Sequence, residues 1–336
     1  MQRLVVGQDL SVDQAYDAAA EIMRGESSDA QIGGLLTALR VKGETVDEIR
    51  GFVTAMRHRA IRLVAPSETV DPCGTGGDGR GTFNVSTTVA FVAAAAGCPI
   101  AKHGNRSVSS NCGSADLLEH LGVDPSPDPQ AAADQLREHG LCFLYAPRFH
   151  AAARHAATAR REIGVRSIFN LVGPMTNPAG CRRQLMGVFD AQWCAPVARV
   201  LQELGSDHCL VVHSEDGLDE ISIAAPTHVA ELRDGRVTSR TLDPRELGFE
   251  LQPLDPILGG EMEKNAALTL SVLEGSAGPA RDIVLLNAAA TLYVGGISES
   301  IEAGVAAAAD AVDSGRARQM LRTFQQESRD RDVRPA

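Results

Sequence analysis

The sequence predicts an α/β protein, in which a small all-helical N-terminal unit precedes a larger unit with a sheet flanked by helices. Three observations support this fold class. The first 60 residues carry repeated helix-start motifs, the pattern changes after Thr69, and strand-length apolar runs then alternate with helical segments of about ten or more residues. The 336 residues, 44% of them hydrophobic, are enough for two ordinary domains.

The N-terminal unit is predicted from one motif that occurs three times. Residues 11–14, 28–31 and 45–48 each have the pattern of a capping box, in which the first and fourth residues satisfy each other's free backbone amides. Gly25 and Gly43 stand where helix ends need a left-handed residue. These signals predict three helices in this part of the chain.

The second unit is predicted to begin near Thr69. Strand-length apolar runs occur at residues 99–102, 141–145 and 209–213. Ser86 or Thr87 is expected to cap a helix that runs through residues 89–96 and ends at Gly97. After about Gln325, a polar tail is expected.

Composition excludes several function classes. The excess of 43 acidic over 32 basic residues gives a net charge of −11, which argues against nucleic acid as a partner. The longest apolar run, 89–101, is shorter than the roughly 20 residues that cross a bilayer, and residues 1–9 show no secretory pattern. Seven scattered cysteines indicate reduced thiols. We therefore expect a soluble cytoplasmic protein without a membrane partner.

The turn Gly74-Thr75-Gly76-Gly77-Asp78-Gly79, here called the glycine turn, is the sharpest local motif. A dinucleotide fold would need a helix at once and an acidic residue about 20 positions later, and neither is present. A nucleotide phosphate loop would need a lysine where Arg80 stands. The glycines still favour close approach of backbone amides to a phosphate, although a tight turn without a ligand is the alternative.

A local positive charge follows this turn. Arg80, Lys102 and Arg106 lie between Gly79 and Ala115, and this stretch contains no acidic residue. A charge of +3 inside a chain of −11 indicates a bound polyanion, and the serines in the same stretch suit phosphate oxygens. The alternative is that these cations are ordinary solvated charges.

Asp219 and Glu220, here called the acidic pair, follow a predicted strand and a turn. Mg²⁺ commonly takes one or two carboxylates together with water and substrate phosphate oxygens. The pair therefore indicates a Mg²⁺ site to which Ser86 could add a hydroxyl oxygen. The alternative interpretation is that these two carboxylates are ordinary surface charges that bind no ion.

Taken together, these motifs resemble those of the anthranilate phosphoribosyltransferases over nearly the whole chain. The matching segments are 39–45, 74–79, 84–87, 102–106, 109–110, 113–116, 160–164, 168–178, 219–220, Asn265 and 287–289. Asn111, Cys112 and Glu261 depart from the pattern, which has Lys, Ser and Asp there.

The resemblance implies a phosphoribosyl transfer from 5-phosphoribosyl 1-pyrophosphate to the amine of anthranilate, in tryptophan biosynthesis, with two Mg²⁺ ions. It implies a central mixed, mostly parallel sheet, and a homodimer that forms through the helical part. The helical domain would comprise residues 1–66 with a returning segment at about 166–190, and residues 67–165 and 191–336 would form the larger domain.

The resemblance also assigns site residues. Donor binding falls to Gly74, Gly77, Asp78, Thr82, Asn84, Val85, Ser86, Thr87, Lys102, His103, Gly104, Asn105, Arg106, Ser107, Val108, Ser109, Ser110 and Ser114. Anthranilate binding falls to Gly74, Asn105, Arg160, Gly173 and Pro174, and Mg²⁺ binding to Ser86, Asp219 and Glu220. His103 is expected to position the loop. No covalent nucleophile is required, because an aromatic amine is neutral at pH 7.

Two other functions stay open at this point. A pyrimidine nucleoside phosphorylase shares the implied fold, but Pro72-Cys73 stands where Lys-His would precede its glycine turn, and the acidic pair would be unexplained. A non-catalytic homologue that binds phosphoribosyl or nucleic-acid ligands is the second. Arg160, the acidic pair and the net charge argue against it.

Overall fold

The computed structural model describes residues 1–106 and 112–332. Within them, the α-helices are α1 (Gln2–Val5), α2 (Val12–Arg24), α3 (Asp29–Lys42), α4 (Val46–Arg59), α5 (Val85–Ala95), α6 (Ser114–His120), α7 (Pro129–His139), α8 (Ala146–Phe149), α9 (Ala157–Ile163), α10 (Ile168–Val172), α11 (Cys194–Glu203), α12 (Met262–Leu273), α13 (Pro279–Gly295), α14 (Ile301–Asp313) and α15 (Arg316–Asp332). Short 3₁₀ helices cover Ala151–Ala156, Gly173–Thr176, Ala191–Trp193, Pro244–Leu247 and Asp255–Ile257. The strands are β1 (Val70–Gly74), β2 (Ile100–Gly104), β3 (Leu141–Tyr145), β4 (Arg183–Gly187), β5 (His208–Ser214), β6 (Thr227–Arg233) and β7 (Arg236–Leu242).

The three predicted N-terminal helices begin where their motifs place them. Ser11, Ser28 and Thr45 each accept a hydrogen bond from the backbone amide three residues later, and all three capping boxes are complete. Gly25 ends α2 in the left-handed conformation, with φ of 72°. The short helix α1 precedes them and was not predicted.

All seven strands form one sheet in the order β3-β2-β1-β4-β5-β6-β7. The first five strands of this order are parallel, and β6 and β7 complete the sheet as antiparallel neighbours. The predicted mixed, mostly parallel sheet is confirmed. Because β1, β2, β4 and β5 are parallel, their carboxyl ends meet at one edge of the sheet.

Side chains on the two faces of the sheet belong to different cores. On β5, Leu210 and Val212 pack with the C-terminal helices, whereas Cys209 and Val211 pack with helices α2, α3, α4, α10 and α11. This separation follows from the alternation of side chains along a strand. The helical bundle and one face of the sheet therefore share a continuous core.

Three expectations are corrected. Helix α5 begins at Val85 after Asn84, not after Ser86 or Thr87, because the Asn84 carbonyl already accepts the first helical hydrogen bond from Thr88. Helix α15 continues to Asp332, where a polar tail was expected beyond Gln325, because its buried Leu321 and Phe324 anchor it to the core.

The third correction concerns the returning segment at about 166–190. Its first part, which includes α10, packs in the core of the helical bundle. Its second part contains β4, which pairs between β1 and β5 in the middle of the sheet. The return to the helical domain is therefore wrong for residues 183–187. The remaining domain boundaries stay predictions.

No helix among the described residues has the length and apolar character that crossing a membrane requires. The seven cysteines are all buried and none forms a disulfide.

Candidate functional site

The candidate site lies at the edge of the sheet where β1 and β4 end in Gly74 and Gly187. A Cβ atom at Gly74 would lie 2.9 Å from Asp219 Oδ2, and one at Gly187 would lie 1.5 Å from the Asp219 carbonyl oxygen. Any side chain at position 187 would displace the loop that follows β5 and carries the acidic pair, here called the acidic loop. Glycine at these two strand ends therefore lets the loop after β5 close over the edge. Gly187 was not predicted.

The acidic pair contacts the glycine turn directly. The Gly76 amide donates to Asp219 Oδ2 at 2.7 Å, and the Asp219 amide donates to Asp78 Oδ2 at 3.4 Å. The Glu220 carboxylate lies near the Ser86 amide, in the first turn of α5. The structure thus brings together predicted residues that lie more than 130 positions apart in the chain.

The ionised forms of Asp219 and Glu220 are disfavoured in this cluster. Burial raises the pKa of Asp219 to about 7, and nearby Asp78 adds to the shift. Burial also raises the pKa of Glu220 well above its usual value, with Asp219 adding and Lys102 opposing. Two adjacent, half-buried carboxylates form a donor set that suits a hard divalent cation. A cation there would offset the repulsion that now disfavours both ionised carboxylates.

Lys102 belongs to the interior of this site. It is 3% exposed, and its Nζ donates to the Pro72 carbonyl at 2.8 Å and to Ser86 Oγ at 3.1 Å. Burial lowers the pKa of Lys102, and the buried Asp71 carboxylate acts in the opposite direction. Lys102 therefore supports the floor of the site and is not a solvated charge.

Arg106 is committed to two acidic partners. It lies on the surface and pairs with Asp116 at 2.7 Å and with Glu119 at 2.8 Å. Both acids follow Ala115, just outside the stretch in which the sequence showed only cations. Two of the three cations of that stretch, Lys102 and Arg106, therefore face carboxylates in the structure. Binding of a polyanion there stays a prediction. Donor binding by Arg106 stays a prediction.

The turn after β2 is closed by Ser114. Its hydroxyl donates to the Asn105 carbonyl at 3.1 Å and accepts from the Asn105 amide at 3.2 Å. A Cβ atom at Gly104 would lie 2.3 Å from the same oxygen, so this position needs glycine. The predicted donor residues Ser107, Val108, Ser109 and Ser110 lie outside the described residues, as does Asn111.

Residues 82–84, which follow the glycine turn, are held by contacts with Leu258, Cys112 and Asn265. Thr82 pairs with Leu258, and Asn84 Nδ2 donates to the Cys112 carbonyl at 3.1 Å. The buried Asn265 Nδ2 donates to Asn84 Oδ1 at 3.2 Å. Asn265 was matched in the sequence without a role, and the structure gives it the role of fixing Asn84.

Two predicted donor residues have buried side chains, Val85 at 2% and Thr87 at 1% exposure. A ligand at this helix end could meet only their backbone atoms.

Glu261, where the family pattern has Asp, precedes α12 and makes no side-chain cap hydrogen bond.

Of the predicted acceptor residues, Pro174 lies beside the end of β1. The side-chain Nε2 of Gln184 donates to the Pro174 carbonyl at 3.0 Å and to Cys73 Sγ at 3.5 Å. Cys73 is the residue before the glycine turn. A Cβ atom at Gly173 would meet open space. Arg160 is half-buried, and its guanidinium carbon lies 5.0 Å from the centre of the Phe169 ring.

Besides Gly187, sequence reasoning missed two further residues of this site. His150 is buried 5.2 Å from the His103 ring, and burial lowers the pKa of His150 to about 4 and that of His103 to about 3. Both rings are therefore neutral, and neither Nε2 has a partner among the described residues. Arg166 donates to the Gly77 carbonyl and lies 4.5 Å from the Phe189 ring centre. Only the fold brings Arg166 to the glycine turn, 89 positions away in the chain, and His150 to His103.

Comparisons with known proteins agree with this geometry. The profile described as "Glycosyl transferase family, a/b domain" matches residues 66–318, and "Glycosyl transferase family, helical bundle domain" matches residues 1–60. The anthranilate phosphoribosyltransferase of Methanobrevibacter smithii is 47% identical over 322 residues, which cover 96% of both chains.

Solved structures give the same result. The crystal structure of the Thermus thermophilus anthranilate phosphoribosyltransferase superposes with a TM-score of 0.92 at 43% identity and covers 98% of both chains. The Saccharomyces cerevisiae enzyme in complex with PRPP and Mg has a TM-score of 0.88 at 26% identity, covering 98% of this chain and 96% of that chain. The chain therefore belongs to the anthranilate phosphoribosyltransferase family of glycosyl transferases.

Proposed function

We propose that this chain transfers the phosphoribosyl group of 5-phosphoribosyl 1-pyrophosphate to the amine of anthranilate, giving N-(5-phosphoribosyl)anthranilate and pyrophosphate. The observation that carries the proposal is the contact between the acidic pair and the glycine turn, where Asp219 accepts from the Gly76 amide. A phosphate-binding turn and a cation-binding pair are thereby joined in one pocket.

The metal role falls to Ser86, Asp219 and Glu220. Their oxygen atoms would hold Mg²⁺, and a second ion would arrive with the pyrophosphate. A bound Mg²⁺ stabilises the negative charge that develops on the pyrophosphate as it leaves. The raised pKa values of both carboxylates support this role, because a bound cation favours the ionised forms.

The donor would lie over the glycine turn and the start of α5. Backbone amides of the turn and the N-terminus of this 11-residue helix are directed at the same edge of the sheet. Lys102, fixed through Ser86, keeps a positive charge beneath the pyrophosphate. Asn84, held by Asn265, presents the second half of the loop.

The acceptor would lie between this donor and the helical bundle. Its amine nitrogen attacks C1 of the ribose, the bond between C1 and the pyrophosphate oxygen breaks, and the electron pair leaves with pyrophosphate. The amine then loses one proton. Arg160 would bind the anthranilate carboxylate, Asn105 would face the amine, and Gly173 and Pro174 would border the ring.

An anthranilate fluorescence assay tests the proposed reaction. Anthranilate should disappear only when phosphoribosyl pyrophosphate and Mg²⁺ are both present, and pyrophosphate should form in equal amount. Phosphorolysis of thymidine and uridine, followed in parallel, should not occur. Nucleoside cleavage without anthranilate consumption would overturn the proposal in favour of a pyrimidine nucleoside phosphorylase.

The same proposal includes a homodimer formed through the helical bundle and a cytoplasmic location. Val5, Val6 and Val41 support the dimer, since these residues of the bundle are 72%, 67% and 82% exposed. Buried thiols that form no disulfide suit a reducing compartment. Light scattering should give the mass of two chains, and Val41→Glu should reduce it to that of one.

A further inference from the structure

The loop that carries the acidic pair is anchored by one buried asparagine on a distant helix. Asn287 lies on α13 and has no exposed surface. Its Oδ1 accepts from the Ile221 amide at 3.0 Å, and its Nδ2 donates to the Ile221 carbonyl at 2.8 Å and to the Ile283 carbonyl at 2.9 Å. The carboxamide therefore holds both backbone groups of the residue that follows Glu220.

We propose that Asn287 is a positioning residue for Mg²⁺ binding, which fixes Asp219 and Glu220 through the backbone of Ile221. The inference rests on the proposed metal role of the acidic pair. Asn287 itself would touch neither the ion nor the substrates.

The need for such an anchor follows from the charges on the loop. Asp219 and Glu220 are adjacent and half-buried, and their carboxylates repel each other when ionised. On one side, the Asp219 backbone is confined against Gly187. On the other side, Asn287 fixes Ile221, so that repulsion between the carboxylates cannot be relieved by moving the backbone. The pair is thereby held ready for a cation before one binds.

The chemistry of the three hydrogen bonds is specific to asparagine. Aspartate has nearly the same shape but cannot donate to the two carbonyls, and its charge would be buried beside the Ile221 oxygen. Leucine would leave the Ile221 amide and carbonyl without partners. The backbone N–H and carbonyl of Ile221 also determine which end of the Asn287 carboxamide is the oxygen and which is the nitrogen.

A matched control lies one turn along the same helix. Thr291 is buried like Asn287, and its hydroxyl donates to the Asn287 carbonyl within α13 at 2.8 Å. Among the described residues, its hydroxyl forms no hydrogen bond with the loop that carries the acidic pair, so Thr291→Val tests the loss of a buried polar group on α13 alone.

The experiment measures binding of Mg²⁺ and phosphoribosyl pyrophosphate by calorimetry in the absence of anthranilate. Asn287→Asp should weaken Mg²⁺ binding by about 10- to 100-fold, the range found when outer-shell partners of metal ligands are changed. Binding of anthranilate alone should change by less than about twofold, and Thr291→Val should change neither affinity. Asn287→Ser, which keeps the pocket neutral, replaces the Asp variant if that variant does not fold.

A double-mutant cycle separates positioning from general damage to α13. In an Asp219→Ala/Glu220→Ala background, Asn287→Asp should have almost no further effect on donor binding, because the groups that it positions are gone. An equal loss in both backgrounds, or unchanged Mg²⁺ affinity in Asn287→Asp, would overturn the inference. If Asp219→Ala/Glu220→Ala itself keeps normal Mg²⁺ affinity, the proposed metal role of the acidic pair is wrong. This result is distinguishable from failure of the inference about Asn287, because it is obtained without any change at Asn287.

Discussion

Arg160→Ala is the most direct test of acceptor recognition. Among the described residues, the half-buried Arg160 guanidinium has no hydrogen bond and no ion pair, and it lies 5.0 Å from the Phe169 ring centre. Burial lowers the pKa of Arg160, which shows that the surroundings disfavour its charge. An anion such as the anthranilate carboxylate would offset this cost.

The size of the effect follows from the contact that would be lost. A hydrogen bond to a charged group contributes about 1.5–3 kcal/mol, and each 1.4 kcal/mol corresponds to tenfold in affinity. Arg160→Ala should therefore raise the Michaelis constant for anthranilate on the order of 10- to 100-fold. The constant for the donor should stay almost unchanged. Loss of the contact with Phe169 should lower the free energy of unfolding by no more than about 1 kcal/mol.

The assay follows anthranilate fluorescence at saturating donor and Mg²⁺, and Arg161→Ala is its matched control. Arg161 is the next residue on α9 and is exposed, since successive helical residues point about 100° apart. Its replacement should leave both Michaelis constants near those of the unmodified enzyme. If the two variants behave alike, or if Arg160→Ala weakens only the donor, the acceptor role of Arg160 is refuted.

Four further predictions concern metal binding, donor binding and stability. Asp219→Ala/Glu220→Ala should lose several kcal/mol of transition-state stabilisation, and normal rates at limiting Mg²⁺ would contradict this. Without Mg²⁺, the melting temperature of this variant should be no lower than that of the unmodified chain, because two disfavoured charges are removed. Lys102→Met should weaken donor binding and also lower the free energy of unfolding by about 3–5 kcal/mol, since buried carboxylates lose their cation. Arg106→Ala should weaken donor binding with a much smaller loss of stability than Lys102→Met, because Arg106 is exposed. Denaturant titration of both variants checks this, and an equal loss in the two would contradict it. Ser28→Ala should cost about 1 kcal/mol of stability through its lost helix cap, measured by the same titration, with unchanged kinetics.

Local interactions explain what could be predicted from the sequence. The starts of α2, α3 and α4 were predicted because each capping box is complete within four residues. The glycine turn and the acidic pair were recognised as ligand-binding chemistry for the same reason, since each motif is contiguous. The resemblance joined these motifs into one function because their order along the chain is specific.

The strands β4, β6 and β7 were not predicted, and they depend on different physics. Strand β4 is stable because β1 and β5 pair with it on both sides, which no short stretch of sequence reveals. The β6–β7 hairpin did carry a signal, since Asp234-Gly235 adopts positive φ angles of 51° and 67°, typical of a tight hairpin turn. Its flanking strands could have been found from this dipeptide.

Composition determined that this chain is acidic, and the alternation of strand-length runs with helical segments determined that it is an α/β protein. Contiguous motifs determined which chemistry it carries. The tertiary structure decided how those motifs act together. It placed Lys102 in the interior beside Asp71, paired Arg106 with acids of α6, and joined Asn287 to the acidic loop. The reason is that a charge or an amide has no fixed role along the chain, because its partner and its burial depend on contacts between residues far apart in sequence.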